Sequence, residues 1–167
     1  MNPQPLKSQA VFVGKTLVAH LVSYGLAALV GYQFILGDLY NSPDSPLLGY
    51  LATPGEPAAW KAVVQRMIAI ELVRGFLLGI VFYSILRSLE RWNKKRRFIA
   101  ILAFYFIVGF IASPGIAPGS LEGMLYMQNQ FAPVVHERFF WTTFLQSIVM
   151  AFILANWVKT SVPAEGN

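Results

Sequence analysis

Apolar residues along this chain fall into long unbroken runs rather than short alternating ones. Four runs are legible, Val11 to Leu36, Ala62 to Leu86, Phe98 to Ser113 and Phe139 to Val158. A helix rises about 1.5 Å per residue, and about 20 residues cross a hydrocarbon core of roughly 30 Å. The first, second and fourth runs are therefore long enough to span a bilayer. The third reaches only about 24 Å unless its helix continues through a kink at Pro114 to Ala117. None of the runs alternates with period 2, and an open sheet in lipid would leave its edges unpaired. The pattern predicts an all-α polytopic membrane protein: one domain, residues 1–167, built as a bundle of four transmembrane helices. The expected spans are residues 11–36, 62–86, 98–117 and 139–158. The first run is far longer than the apolar part of a signal peptide, with only Lys7 ahead of Lys15, so it is expected to remain as a helix.

Charge gives the bundle a direction. Arg87, Arg91, Lys94, Lys95, Arg96 and Arg97 stand against Glu90 alone between the second and third runs. The stretch 37–60 carries Asp38, Asp44 and Glu56, the stretch 114–137 carries Glu122 and Glu137, and neither holds a Lys or Arg. By the positive-inside rule the basic loop faces the cytoplasm, and both termini follow it. Trp60, Trp92, Trp141 and Trp157 all fall at expected boundaries, where an indole has one edge in water. Pro43, Pro46, Pro54 and Pro57 imply irregular turns in the first outer loop. In the second, a paired Pro-Gly signal precedes Ser120, which is placed to cap a short interfacial or re-entrant helix through Gln130.

Composition agrees with the pattern. Of 167 residues, 56% are hydrophobic and 13% charged, with mean hydropathy +0.53, too little polar surface to clothe a soluble globule. The net charge of +5 is concentrated in one loop between apolar runs, which sets orientation rather than nucleic-acid binding. The expected partners are the lipid bilayer and either a second copy or another membrane protein, with no nucleic acid. Cysteine is absent, which excludes disulfides, thiolate metal sites and cysteine nucleophiles. Phosphate-cradling glycine loops, two-histidine metal motifs, nucleophile elbows and calcium loops are missing as well. The sequence therefore names no cofactor and no catalytic residue.

The candidates for packing and chemistry are few. In lipid, helices associate through close approach at small residues spaced by four. Ala19, Ser23, Ala27 and Gly31 form such a ladder in the first run, and Gly75 and Gly79 in the second. The second run also holds Arg66, Glu71 and Arg74. Glu71 and Arg74 lie about 15 and 20 Å inward from Lys61, where an ionised group costs roughly 2.5 to 3.5 kcal/mol. Three residues apart on one helix, they can pair and offset that cost; Arg66 is close enough to the boundary to snorkel. Gln146 and Ser147 in the fourth run reach a similar depth, so Gln146 or its neighbours are expected to face the pair. The pair reads either as an ion pair that fixes helix register or as part of a polar pathway or an anion or proton site. His20 shares a face with Thr16 and Tyr24 and is expected as a hydrogen-bonded interior histidine. His136 with Glu122 and Glu137 offers an outer-face metal or acid–base site, set against plain solvation of three boundary residues. The two histidines belong to opposite sides of the bilayer, which excludes joint haem ligation.

Arg74-Gly75 in the second run, and Pro118-Gly119-Ser120-Leu121-Glu122-Gly123 followed by Tyr126 before the last, resemble the pattern of small four-helix bacterial integral membrane proteins. That group carries no assigned activity, so the resemblance implies topology and a bacterial inner membrane but no reaction. The leading expectation is a noncatalytic membrane protein, a packing, accessory or binding subunit. The alternatives are a small transporter or channel lined by Glu71, Arg74 and Gln146, and a membrane enzyme using Glu122, His136 and Glu137 at the outer surface.

Overall fold

Long apolar segments have one economical way to satisfy their backbone away from water, which is to hydrogen-bond internally as helices. The computed structural model describes residues 6–47, 52–111, 120, 123 and 133–159, and among these there is no strand. Helix α1 (Leu6–Val30) runs into a π-helical turn, Gly31–Leu36, and a short helix α2 (Gly37–Asn41). After an irregular stretch come α3 (Pro57–Ser84), α4 (Leu86–Arg91) and α5 (Lys94–Phe106), which ends in a second π turn, Ile107–Ile111; the last helix is α6 (Pro133–Trp157). Three helical segments are long and apolar enough to cross a membrane: Ser8–Asn41, Pro57–Ser84 and Val134–Trp157.

The helices begin ahead of the hydrophobic runs that predict them. The first begins at Leu6 and continues to Asn41, the second begins at Pro57 and stops at Ser84, and the last begins at Pro133. Polar ends extend each rod because helical hydrogen bonding propagates beyond the apolar stretch. The turns expected across residues 37–60 are thus confined to a shorter stretch between Asn41 and Pro57. Pro57 occupies the first helical position, where its missing N–H leaves no bond unmade. The third rod starts on Lys94, Lys95, Arg96 and Arg97, with Asn93 as its cap accepting from the Arg96 N–H at 2.8 Å. Four charges in its first turn set it apart from the other three. The expected kink at 114–117 and most of the expected helix from Ser120 to Gln130 lie outside the described residues.

Side-chain pairings fix the topology. His20 meets Glu71, Tyr24 meets Met67 and Val13 meets Gly79, so α1 and α3 are antiparallel. Tyr105 meets Gln146 and Gly109 lies against Thr143, so α5 and α6 are antiparallel too. Gly31 lies against Thr142, joining the C-terminal half of the first rod to α6. The order is up, down, up, down, and the side between α3 and α5 is the loosest, bridged by an edge-to-face contact of Phe82 with Phe104. The best-packed core lies toward the α4 end, around Phe82, Leu89, Ile101, Met150 and Leu154. Phe106, Phe110, Phe140 and Phe144 fill the opposite half of the α5–α6 seam.

Beside the apolar core, burial departs from that of a soluble protein. Thr16, His20, Ser23, Glu71 and Ser147 are buried, whereas Leu29, Phe34, Val73 and Phe152 are exposed. Polar groups inside and apolar groups outside are what an integral membrane protein requires.

All six small residues of the packing ladders are buried, and the two glycines of α3 serve different clearances. A Cβ on Gly79 would stand 3.0 Å from the Cα and 3.1 Å from the carbonyl oxygen of Val13, so relief requires the helices to separate. A Cβ on Gly75 would meet Leu17 Cδ1 at 2.7 Å, which can turn aside, but also His20 Cδ2 at 2.9 Å and His20 Cβ at 3.3 Å, on a buried ring held by hydrogen bonds to Glu71 and Tyr105. Gly79→Ala and Gly75→Ala are each expected to lower the melting temperature in detergent by the equivalent of about 1 to 3 kcal/mol, the first by parting the helices and the second by displacing His20. Melting of either variant like wild type would contradict this account of the α1–α3 contact.

Candidate functional site: a polar network across the helices

The four long helices each send one side chain to a common level. His20 of α1 is the hub, fully buried. Its Nε2 lies 2.8 Å from Glu71 Oε2 on α3, and its Nδ1 lies 2.6 Å from the Tyr105 hydroxyl on α5. That hydroxyl in turn accepts from Gln146 Nε2 on α6 at 2.8 Å. Arg74, one turn along α3, donates from one terminal nitrogen to Glu71 at 3.0 Å and 3.3 Å.

Donor chemistry orders the chain. An amide nitrogen only donates, so the Tyr105 oxygen accepts from Gln146 and its own O–H goes to His20 Nδ1. The opposite ring nitrogen then carries the hydrogen and donates to the Glu71 carboxylate, which also accepts from Arg74. This tautomer is inferred from the connected partners. Arg74 and Glu71 balance in charge, and among the described residues no buried side-chain nitrogen or oxygen lacks a partner. Ser23, one turn from His20 on α1, donates its hydroxyl to the His20 carbonyl at 2.9 Å and also lies within hydrogen-bonding reach of the Tyr105 hydroxyl.

Local sequence explains why the network forms there. The buried positions of α3, namely Glu71, Gly75, Leu78, Gly79 and Phe82, recur every three or four residues on one face. Gly75, one turn beyond Glu71 on that face, lets the His20 ring approach the α3 backbone. On α6, Ser147 bonds back to the Thr143 carbonyl at 2.8 Å and so leaves Gln146 as the long polar arm of that turn.

Arg74 faces two ways. Its side chain is 56% exposed, and it lines a groove of about 560 Å³ between α3 and α5 whose other walls are apolar, among them Val73, Leu77, Phe104 and Val108. Arg66 is exposed nearer the α3 start.

A buried cation closes one end of the bundle. Arg97 is 1% exposed. It donates to the carbonyls of Leu89 at 2.9 Å, Trp92 at 3.0 Å, Ala155 at 3.1 Å and Val158, the last two at the end of α6. Carbonyls at a helix C-terminus have no intrahelical donor, and a guanidinium answers both the missing bonds and the negative end of the dipole. Burial pulls the Arg97 pKa below the ordinary arginine value, and Glu90 opposes the shift.

His136 is buried and Glu137, the next residue on the helix, is exposed and accepts from the Trp141 indole at 3.4 Å. Glu122 lies outside the described residues. Among the described residues no three His, Asp or Glu side chains are grouped to hold a metal ion. Arg138 instead ties α6 to the end of the first rod, through Asp38 and the Ile35 carbonyl at 3.1 Å.

Comparison of the chain with protein-family models, with curated proteins and with solved structures gives no match.

Proposed function

We propose that this chain is a noncatalytic four-helix transmembrane bundle of a bacterial inner membrane, both termini cytoplasmic, that serves as a packing or binding subunit for another membrane protein. The observation that carries this reading is the direction of the polar network. From the bundle end that holds Arg97, His20, Glu71, Tyr105 and Gln146 all lie about 16 to 21 Å along their helices. The chain of hydrogen bonds therefore runs across the bundle at one depth, as a clamp that sets the register of the four helices. A conduction path would run along the axis, with polar groups at successive depths.

The orientation rests on the basic stretch from Arg87 to Arg97, and the third span on α5 with its π continuation. The test is reconstitution of the purified chain in liposomes loaded with a pH-sensitive dye, with Glu71→Gln in parallel. The proposal expects no proton flux above protein-free liposomes for either protein and a lower melting temperature for the variant. Flux in the wild type that Glu71→Gln removes would overturn it in favour of a transporter.

A further inference from the structure

From the Arg74-marked groove we infer a docking site for a transmembrane helix of a different protein that carries an Asp or Glu midway along its span. The inference deepens the binding-subunit reading and rests on it. Arg74 spends one terminal nitrogen on Glu71; its Nε and second terminal nitrogen have no acceptor among the described residues. A guanidinium presents five N–H donors in a fixed fork and pairs best with a second carboxylate edge-on. At this depth an incompletely paired arginine is unfavourable, and the lipid tails offer it nothing.

The shape of the groove selects among anions. Its α3 wall extends from Ala69 to Val81, about 18 Å along the axis, and Arg74 stands between, about 7 Å from one end and about 10 Å from the other. The complementary ligand is apolar at both ends and anionic in the middle. A fatty acid or phospholipid has its anion at one end; a spanning helix with a central carboxylate has the required order. Another copy of this chain does not supply it. Apart from Glu71, which is buried in its own network, its acidic residues are Asp38, Asp44, Glu56, Glu90, Glu122, Glu137 and Glu165, near the helix ends or between the runs.

The looseness of the α3–α5 side gives the helix its seat. Phe104 lines the groove and rests edge-to-face on the buried Phe82, while Val73, Leu77 and Val81 present the kind of apolar ridge that interdigitates with a neighbouring helix.

The test uses the full chain in phosphatidylcholine vesicles with Lys95→Cys carrying an acceptor dye, since the protein has no other cysteine. The probe is a synthetic Leu/Ala transmembrane helix with Lys flanks, a donor dye and a single central Glu; its twin carries Gln. Energy transfer is followed against peptide-to-lipid ratio. The expected result is saturable transfer with the Glu peptide at about tenfold lower mole fraction than with the Gln peptide, the size of one charge-assisted hydrogen-bonded pair. Arg74→Gln should erase the preference, and Arg74→Lys, which keeps a cation beside Glu71, should retain part of it.

Equal binding of the two peptides overturns the inference. So does loss of the preference on adding phosphatidylglycerol, which would assign the groove to a lipid anion, and so does Arg74-dependent transfer between two labelled copies, which would assign it to self-association. Melting of the unlabelled protein separates the two claims. If Glu71→Gln lowers the melting temperature while the peptides bind alike, the docking site fails and the network reading stands; if Glu71→Gln melts like wild type, the network reading fails whatever the peptides do.

Discussion

Replacing Glu71 by Ala is expected to destabilise the protein by about 3 to 5 kcal/mol, the range seen when one partner of a buried charge pair is removed. The magnitude follows from what remains behind. His20 Nε2–H would point at a cavity, and Arg74 would lose its only protein acceptor among the described residues, at a depth where water is scarce. Glu71→Gln keeps the shape and an acceptor oxygen but removes the charge that balances Arg74, so its cost should fall well below that of Ala. Thermal or denaturant unfolding in a single detergent, followed by circular dichroism, reads both. An Ala variant within about 1 kcal/mol of wild type would mean that the helices hold their register without the network.

Arg97→Ala is the second large effect, expected at about 3 kcal/mol. Hydrogen bonds from a charged group contribute about 1.5 to 3 kcal/mol each. Four carbonyls share this guanidinium, but their position near the basic loop allows water to replace part of what is lost. Arg97→Lys should recover only a fraction, because an ammonium cannot present a planar fork to carbonyls on two helices. Since Ala155 and Val158 belong to the end of α6, the loss should be local. Backbone amides in the last turns of α6 are expected to exchange faster in Arg97→Ala while those around Gln146 keep their protection. Uniform acceleration along α6 would show that Arg97 supports the whole bundle rather than the helix ends it caps.

Arg97 also marks where sequence reasoning stops. In a run of six basic residues its charge reads as an orientation signal, and nothing local separates it from Arg96, which stacks over the Trp92 ring at 4.7 Å. The difference is tertiary: Arg97 falls on the α5 face that meets α6. Tyr105 was missed for a related reason. Among the phenylalanines of its run it reads as another packing aromatic, and the only signal was a hydroxyl at a depth comparable with Gln146. Without Tyr105 the sequence gives Gln146 a direct path to Glu71 and Arg74, whereas the contact passes through Tyr105 and His20.

What was legible has an equally physical basis. Hydropathy is local, so three membrane-length apolar helices could be read directly, with their ends displaced. The spacing of Glu71 and Arg74 is fixed by the helix itself, and a histidine in an apolar run demands a partner. The π turn at Gly31–Leu36 carried no such signature. It becomes intelligible only in three dimensions, where a Cβ on Gly37 would sit 2.6 Å from the Tyr32 carbonyl oxygen and any other residue would have to break the turn.

The clamp is tested most directly by a double-mutant cycle on Glu71→Gln and Tyr105→Phe. The two residues sit on different helices and each bonds to the opposite nitrogen of the same His20 ring. If the ring transmits between them, the stability losses should fall short of additive by about 0.5 to 2 kcal/mol. Losses that add within about 0.3 kcal/mol would show two independent contacts and contradict a single network across the helices.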